Sequence, residues 1–356
     1  MRNLEISDLT PGMIVAENVM TLRNELLYPA GYRLTAKAIT KLRFYSIPFI
    51  CVEDENDHFS YEEIKSYSER VRSTPEFQMF AEEFEKDVYK FKNALNDVVE
   101  KNSPLDIHDL LQDTLALLHT SSQNVHIFEM INNMRQYDDS TYAHSINVAL
   151  IANVLAGWLG MNEQDILLIT QCGLLHDIGK LCIPDHIIKK PGRLTEEEFN
   201  VVKTHPYAGY ELLQKQKMNP HILNAAMMHH ERFDGTGYPF GLKGQKIDIF
   251  ARIISIADVY DAMTSDRVYR SALCPFKVIE FFEKEGLQKY DPKFILIFIE
   301  NVLNTYIQSH VRLSDGRTGE VLMINKHKLS RPLIRSNSSY IDLSKEPDAI
   351  YIEEII

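Results

Sequence analysis

The sequence predicts a mainly α-helical protein, in which a helical bundle is flanked by small N-terminal and C-terminal domains that contain β-strands. Apolar residues recur with helical periodicity through most of the chain from about residue 76 to residue 308. Short β-like runs with Pro-Gly and similar turn signals precede residue 55 and follow residue 310. At 356 residues the chain is long enough for two or three domains.

The first segment, residues 1–60, is predicted to be a small α+β domain. Turn-forming residues separate short β-like runs such as residues 13–15. Thr35 is placed to cap a short helix that ends at Phe44, because its hydroxyl can accept a hydrogen bond from the first helical turn. Residues 47–52 then read as a strand.

The second segment, residues 61–104, is predicted to be a helical linker region. Between Glu76 and Glu100 its apolar residues recur at alternating steps of three and four, which is typical of an amphipathic helix. These residues are Phe77, Phe80, Phe84, Val88, Phe91, Leu95 and Val98. Two interpretations stay open: packing within the chain, which we favour, and the coiled coil of a homodimer, for which about three heptads are marginal.

The third segment, residues 105–308, is predicted to be the helical domain. Asn162 is followed by Asp165 in a weak capping box, so a helix is expected to begin there. A second helix is expected after Thr195, since the acidic residues that follow it suit the positive end of a helix dipole.

The last segment, residues 309–356, is predicted to form a small β-barrel or sheet. Its strand-like runs cover residues 311–313, 319–324, 333–334 and 340–343. Turns are expected at Asp315-Gly316 and at Ser336-Asn337.

The composition excludes some classes of protein. With 45% hydrophobic and 25% charged residues the chain is typical of globular proteins. A net charge of −12 argues against a surface for duplex nucleic acid, although a bound metal could still attract a small anion. The four cysteines form no CxxC pair, and no apolar run is long enough to span a bilayer. We therefore expect free thiols, a cytoplasmic location and no membrane partner.

Histidine and aspartate residues stand out on the apolar helices of the third segment. They are His144, the pair His176-Asp177, His205, the pair His229-His230, and Asp258. Each alone is more easily read as a hydrogen-bonded structural residue. Together, their burial would cost several kcal/mol of desolvation unless strong partners were present.

Divalent metal ions are partners that suit this set. They bind neutral imidazole and carboxylate together, and a set without thiolates suits Fe, Mn, Zn or Co better than a structural zinc site. Five histidines and two aspartates exceed the needs of one tetrahedral ion, so two ions are expected. Two ions about 4 Å apart can act on both the attacking and the leaving oxygen of a phosphoryl group.

Three motifs give this pattern a family resemblance. They are HDIGK at 176–180, HHERFDGTGYP at 229–239 and ADVYDAMTSDRVYR at 257–270. Their order resembles the HD-GYP family of cyclic di-GMP phosphodiesterases, within the HD-domain phosphohydrolase superfamily, over roughly residues 120–305. The resemblance implies an HD-domain helical bundle that hydrolyses cyclic di-GMP to linear pGpG by attack of a metal-bridging hydroxide on phosphorus, and it leaves open a second cut to GMP.

The resemblance also implies roles for single residues. The seven histidines and aspartates match the metal ligands of the family, and Asp177 matches the carboxylate that contacts both ions. Lys180 matches a catalytic lysine directed at the scissile phosphate. Arg267 and Arg270 match positions that contact the dinucleotide, with surface ion pairs as the structural alternative. Asp261 is expected to orient a ligand histidine by accepting its other N–H.

The GYP loop is expected to keep a fixed shape beside the metal ions, because glycine relaxes and proline restricts the backbone angles. We count Gly237, Tyr238 and Pro239 with the substrate-binding positions. In the family this loop is also associated with a protein partner. A plain tight turn is the structural alternative for Tyr238.

The cofactor expected is a pair of divalent ions, with Fe or Mn favoured. Some HD-GYP proteins bind a third ion through a Glu four residues before the first ligand histidine, but here Ser140 occupies that position. Two alternative functions stay open. One is a catalytically silent sensor of cyclic dinucleotides, and the other is a phosphodiesterase for a different cyclic dinucleotide.

Overall fold

The structure of the chain is a computed structural model. It describes residues 2–20, 26–28, 31–32, 34–44, 47–52, 67–120, 126–134, 141–190, 192–265, 272–336 and 339–356. The chain forms two compact units, Met1–Ile64 and Lys65–Ile356. The mainly helical fold with a small C-terminal sheet confirms the predicted fold class, whereas the division into four segments stays a prediction.

The first unit is a small α+β structure. Its elements are β1 (Arg2–Glu5), β2 (Val19–Met20), β3 (Leu26–Tyr28), α1 (Ala36–Phe44) and β4 (Phe49–Val52), with β1 paired to β4 and β2 to β3, both antiparallel. Thr35 caps α1 as predicted, since its Oγ1 accepts a hydrogen bond from the amide of Ala38 at 3.1 Å. The run at 13–15 forms no strand; Val15 makes an isolated bridge to Val52.

The second unit begins with two helices, α2 (Tyr67–Arg72) and α3 (Pro75–Lys101). Thr74 caps α3 by accepting a hydrogen bond from the amide of Phe77, and Asn102 ends the helix in a left-handed conformation, with φ of 52°. The predicted apolar residues of α3 are all buried, and they belong to the core that the bundle shares. Packing within the chain therefore accounts for this stripe, and a homodimer stays a prediction.

Twelve further α-helices follow among the described residues. They are α4 (Ile107–Thr120), α5 (His126–Met134), α6 (Thr141–Trp158), α7 (Glu163–Leu175), α8 (Asp185–Ile188), α9 (Glu196–Val202), α10 (His205–Lys215), α11 (Pro220–Met228), α12 (Ile249–Thr264), α13 (Pro275–Phe281), α14 (Leu287–Lys289) and α15 (Pro292–Asn304). Both predicted caps are present. The side chain of Asn162 accepts from the amide of Asp165, and Thr195 and Glu198 form a reciprocal capping box.

Helix α6 is the central helix of the bundle. It is apolar on almost every face and packs against α7 and α12. This burial explains its weak amphipathic pattern, because a helix covered on all sides needs no polar face. Near its C-terminal end, Trp158 stacks on Phe128, whose ring also meets Tyr260 and Phe298 edge-on. The bundle therefore holds α6 and α12 in fixed positions.

The chain ends in a five-stranded antiparallel sheet. Its strands are β5 (His310–Leu313), β6 (Thr318–Met323), β7 (Leu333–Ser336), β8 (Ser339–Asp342) and β9 (Ile352–Ile355), in the spatial order β8-β7-β6-β5-β9. The first four agree with the predicted runs, whereas β9 was not predicted. The turn at Gly316 is present, with φ of +88°, while Asn337 lies outside the described residues. Glu283 ties the sheet to the bundle by accepting hydrogen bonds from the amides of Leu329 and Ser330.

Among the described residues, no helix is both long and apolar enough to cross a membrane. A cytoplasmic location stays a prediction.

Candidate metal centre

The seven predicted ligands come together in the bundle from five separate segments. His144 lies in the first turns of α6, and Asp258 lies in the second half of α12. The others lie at helix ends, where the chain can turn a side chain inward: His176 and Asp177 directly follow α7, His205 begins α10, and His229 and His230 follow α11. Six of the seven are buried, and only His230 is partly accessible.

These side chains form two neighbouring groups. Asp177, His205, His229 and His230 make up the first, and His144, His176 and Asp258 make up the second. Within each group the candidate ligand atoms all lie within 4.8 Å of one another. Ligand atoms that each lie about 2 Å from the same ion are at most about 4 Å apart, so this spacing suits one ion in each group.

The carboxylate of Asp177 lies between the two groups. Its Oδ1 is 3.3 Å from Nε2 of His205 and 3.5 Å from Nε2 of His229. Its Oδ2 is 3.4 Å from Nε2 of His176 and 3.6 Å from Nε2 of His144. Each oxygen therefore faces one group of histidines.

The outward ring nitrogens of four histidines are hydrogen-bonded to acceptors. Nδ1 of His176 lies 2.7 Å from the carbonyl of Gly173, and Nδ1 of His205 lies 2.7 Å from that of Val202. His229 makes the same type of contact with carbonyls in the last turn of α11, and Nδ1 of His144 lies 2.7 Å from Oδ2 of Asp261. The partners of His176, His205 and His229 are carbonyls, which can only accept, so Nδ1 of each of these rings carries the proton and Nε2 keeps its lone pair toward the centre.

Divalent cations fit this donor set. Nε2 of His176 and Oδ1 of Asp177 are buried and form no hydrogen bond with any residue that the structure describes. Nε2 of His205 and Nε2 of His229 face each other at 3.3 Å, where two lone pairs would repel. Orphaned buried acceptors are costly, and a cation that accepts their lone pairs removes that cost. The residues therefore suit a metal cofactor.

The surroundings of Asp177 and Asp258 lower the pKa of both carboxyl groups and so keep them anionic. Burial alone would raise the pKa of Asp177, but Lys180 and His176 outweigh burial and hold that pKa well below its ordinary value. The pKa of Asp258 is likewise well below its ordinary value, because hydrogen bonding to His144 outweighs burial. Burial lowers the pKa of His229 to about 4, which keeps its ring neutral. Anionic carboxylates and neutral imidazoles are the forms that bind metal.

His144 shows how strongly its surroundings attract positive charge. Burial opposes protonation of its ring, but the hydrogen-bonded carboxylates of Asp258 and Asp261 raise its pKa to about 9. In the absence of metal a proton satisfies these two carboxylates.

Lys180 lies at the edge of this centre. Its Nζ is 2.5 Å from Oδ2 of Asp177, and about a fifth of its side chain is exposed. The preceding Gly179 packs against α10 so closely that a Cβ there would lie 2.0 Å from the carbonyl oxygen of His205. This position therefore requires glycine, and the close packing sets the place of Lys180 beside Asp177.

The GYP loop is held by a residue that the sequence did not single out. Glu231 is buried, and its carboxylate accepts hydrogen bonds from the amides of Phe240 at 2.7 Å and Leu242 at 2.9 Å. A Cβ at Gly237 would lie 2.4 Å from the carbonyl oxygen of His230. Glu231 directly follows the two histidines. Its carboxylate beside a glycine-rich turn is the feature of the sequence that could have predicted this role.

Tyr238 contacts the metal centre from this loop. Its ring centroid is 4.7 Å from that of His230, and burial raises its pKa above the ordinary value. Pro239 follows through a cis peptide bond. None of Gly237, Tyr238 and Pro239, the expected substrate-binding residues of this loop, lines the cleft described next.

A cleft of about 1220 Å³ opens beside the second group. His144, Lys180 and Asp261 form its boundary with the metal centre, and α3 forms another wall. The volume exceeds the roughly 300–1,000 Å³ of common small-molecule pockets, so a ligand of two nucleotides is not too large for it. Arg267 and Arg270, predicted to contact the substrate, and Ser140, at the third-metal position, lie outside the described residues.

Comparison with known proteins places this site in a family. Residues 107–294 match the family described as "HD domain", which is more than half of the chain. The chain therefore belongs to the HD domain family. The resemblance to the HD-GYP family agrees with the names of the curated relatives, which are cyclic di-GMP and 3'3'-cGAMP phosphodiesterases.

Three relatives illustrate the similarity. A cyclic di-GMP phosphodiesterase of Pseudomonas aeruginosa is 37% identical over 203 residues, covering 57% of this chain and 49% of the relative. The cyclic di-GMP phosphodiesterase response regulator RpfG of Xanthomonas campestris is 40% identical, covering 44% and 42%. The 3'3'-cGAMP-specific phosphodiesterase 3 of Vibrio cholerae is 36% identical, covering 43% and 33%. The chain thus matches half or less of the length of each.

Proposed function

We propose that this protein is a metal-dependent phosphodiesterase that hydrolyses cyclic di-GMP to linear pGpG, and on to GMP. The observation that carries the proposal is the complete set of seven ligands, six of them buried, with Lys180 beside them and a large cleft at their edge. The names of the relatives support the substrate class, since they act on cyclic dinucleotides.

The ligand groups are proposed to hold two divalent ions, Fe or Mn. Asp177, His205, His229 and His230 would hold one ion, and His144, His176 and Asp258 the other, with Asp177 shared through its two oxygens. Ions bound there would lower the pKa of a coordinated water toward neutrality and so supply the nucleophile for attack on phosphorus.

The chain's own residues are proposed to orient and neutralise the substrate. Lys180 is close enough to the ligands, and exposed enough, to donate to a non-bridging oxygen of the scissile phosphate. Arg267 and Arg270 are proposed to add positive charge on the dinucleotide. Asp261 fixes the ring of His144, and Tyr238 packs on His230, so both are proposed to orient ligands. The family's association of the GYP loop with a protein partner also stays a prediction.

A different cyclic dinucleotide is the second candidate substrate. One relative is named as specific for 3'3'-cGAMP, while two are named for cyclic di-GMP. The metal centre acts on a phosphodiester and does not read a base. Discrimination between the two dinucleotides must therefore come from residues that line the cleft.

The test is product analysis with protein purified anaerobically and loaded with Mn or Fe. We expect conversion of cyclic di-GMP to pGpG, with slower appearance of GMP, and a lower kcat/KM for 3'3'-cGAMP and for cyclic di-AMP. A higher kcat/KM for 3'3'-cGAMP than for cyclic di-GMP would show that 3'3'-cGAMP is the preferred substrate. If metal-replete protein binds a dinucleotide tightly but does not cleave it, the protein is a sensor of cyclic dinucleotides and not a phosphodiesterase.

A further inference from the structure

Helix α3 forms a wall of the cleft although it precedes the HD-domain match, which begins at residue 107. Lys92 and Asn96 face the cleft from this helix. Asn96 accepts a hydrogen bond at 2.9 Å from the hydroxyl of Tyr142, two residues before the ligand His144. Nζ of Lys92 lies 6.0 Å from the centroid of the same tyrosine ring. The α3 wall is therefore linked directly to the segment that carries a metal ligand.

Most of the cations that line the cleft already have an anionic partner. Lys180 pairs with Asp177, Lys189 with Asp185 at 2.6 Å, and Lys190 with Glu198 at 2.6 Å.

Two cleft cations differ from these. Lys92, on α3, and Arg193, in the loop before α9, are exposed, and neither forms an ion pair with any residue that the structure describes. A cation that lines a large cleft without a carboxylate partner is free to bind an anion from solution. The cleft thus offers positive charge in addition to the lysine at the metal centre.

A cyclic dinucleotide requires positive charge at two positions in the cleft. It carries two phosphodiesters, and while one is cut at the metal centre the other remains an anion elsewhere on the ring. Lys180 is committed to the first, because it lies against Asp177. Cations elsewhere in the same cleft can bind the second phosphate, in addition to the proposed contacts of Arg267 and Arg270.

We propose that Lys92 and Arg193 form a subsite for the second, non-scissile phosphate of the cyclic dinucleotide. This inference rests on the proposed function and adds to it a pair of substrate-binding residues, one of them outside the HD-domain match. The subsite selects for a diester that carries a second phosphate. It therefore lowers KM for cyclic dinucleotides in preference to simple phosphodiesters.

The experiment compares two substrates in a set of variants. Cyclic di-GMP carries two phosphates, and bis(p-nitrophenyl) phosphate carries one. The variants are Lys92→Gln, Arg193→Gln, the double variant, and Lys92→Arg, which keeps the charge. The matched control is Lys86→Gln, because Lys86 lies on the same helix, pairs with Glu83 at the surface and does not line the cleft.

We expect the ratio of kcat/KM for cyclic di-GMP to that for bis(p-nitrophenyl) phosphate to fall about fivefold in each Gln variant and about twentyfold in the double variant. The loss should appear in KM, and Lys92→Arg and Lys86→Gln should keep the wild-type ratio. A ratio within twofold of wild type in the double variant would overturn the subsite, and so would an equal loss in Lys92→Arg. Wild-type protein that hydrolyses bis(p-nitrophenyl) phosphate but neither binds nor cuts a cyclic dinucleotide would refute the proposed substrate itself, before any variant is measured.

Discussion

Two buried carboxyl groups of the second unit, Asp177 in the metal centre and Asp87 between α3 and α4, have pKa values shifted in opposite directions although they are almost equally buried. Asp177 is 1% exposed and Asp87 is 3% exposed. The pKa of Asp177 is held well below its ordinary value by Lys180 and His176, which outweigh burial. Burial raises the pKa of Asp87 to about 7, because its hydrogen bond from Thr114 offsets only part of the desolvation.

The difference shows what a metal-binding carboxylate requires. Burial by itself favours the neutral acid, which is a poor ligand, so positive charge and donors must surround a buried aspartate that is to stay anionic. Asp177 has the ammonium group of Lys180 at 2.5 Å, and His176 also lowers its pKa. Asp87 has a hydroxyl and a more distant lysine, and it serves the packing of two helices.

The largest effect is expected from Asp177→Ala. Removing the carboxylate that faces both histidine groups should lower the turnover of cyclic di-GMP roughly 10³-fold or more, and it should reduce the metal content of the purified protein. Rapid-quench or chromatographic product assays measure the first, and elemental analysis measures the second. Asp87→Ala is the control, and its metal content should equal that of wild type. Full metal content with normal turnover in Asp177→Ala would contradict the shared role of this residue.

The second prediction concerns pH and Asp87. A carboxyl whose folded-state pKa is raised, here from 3.8 to about 7, contributes stability that is present below pH 3.8 and is lost as the pH rises through 7. Asp87→Asn removes this loss, because an amide does not titrate. The free energy of unfolding of the variant relative to wild type should therefore rise by roughly 2–3 kcal/mol between pH 5 and pH 8. Urea unfolding at the two pH values measures it, and a constant difference would show that the carboxyl of Asp87 is not protonated in the folded protein.

The third prediction concerns the residue that orients His144. Asp261→Asn keeps the shape of the side chain but weakens its acceptance of the His144 N–H, so metal affinity should fall about 10-fold to 100-fold. Competition with a chelator of known affinity measures it. Turnover at saturating metal should recover most of its wild-type value. Unchanged affinity would mean that Asp261 serves packing alone.

The smallest effect is expected from the two arginines of the third motif. Arg267→Ala or Arg270→Ala should raise KM for cyclic di-GMP about fivefold to tenfold, because each loses a charge-assisted contact with the dinucleotide. Metal content should not change, since guanidinium groups are poor ligands. Steady-state kinetics with elemental analysis separates the two effects, and loss of metal in either variant would assign the arginine a structural role.

The sequence predicted the metal centre better than it predicted the cleft. Burial of histidine and aspartate on apolar helices costs free energy of desolvation unless they have a partner. His144 and Asp258 therefore stand out in the sequence even though 114 positions separate them. The part of Lys92 in the cleft could not be predicted, because a lysine on the polar face of an amphipathic helix has no local signal that tells a cleft from open solvent. Packing decides that difference.

The same reasoning applies to the fold. The stripe of α3 and the caps at Thr35, Asn162 and Thr195 are local patterns, and each was confirmed. Strand β9 was missed because Ile352–Ile355 is short and pairs with β5 about 40 residues earlier in the chain. The apolar run at 13–15 forms isolated bridges rather than one of the strands β1–β9, although backbone hydrogen bonds join it to Gly31, Tyr32 and Leu34.

Two divalent ions are proposed to bind between the histidine groups on either side of Asp177 and to support hydrolysis of a cyclic dinucleotide. The most direct test is elemental analysis of anaerobically purified wild-type protein at graded metal loading, with the rate of pGpG formation measured on each sample. We predict two ions per chain at saturation, and a rate that rises only as the second ion is taken up. Saturation at one ion with full activity, or a third ion needed for activity despite Ser140, would contradict the account.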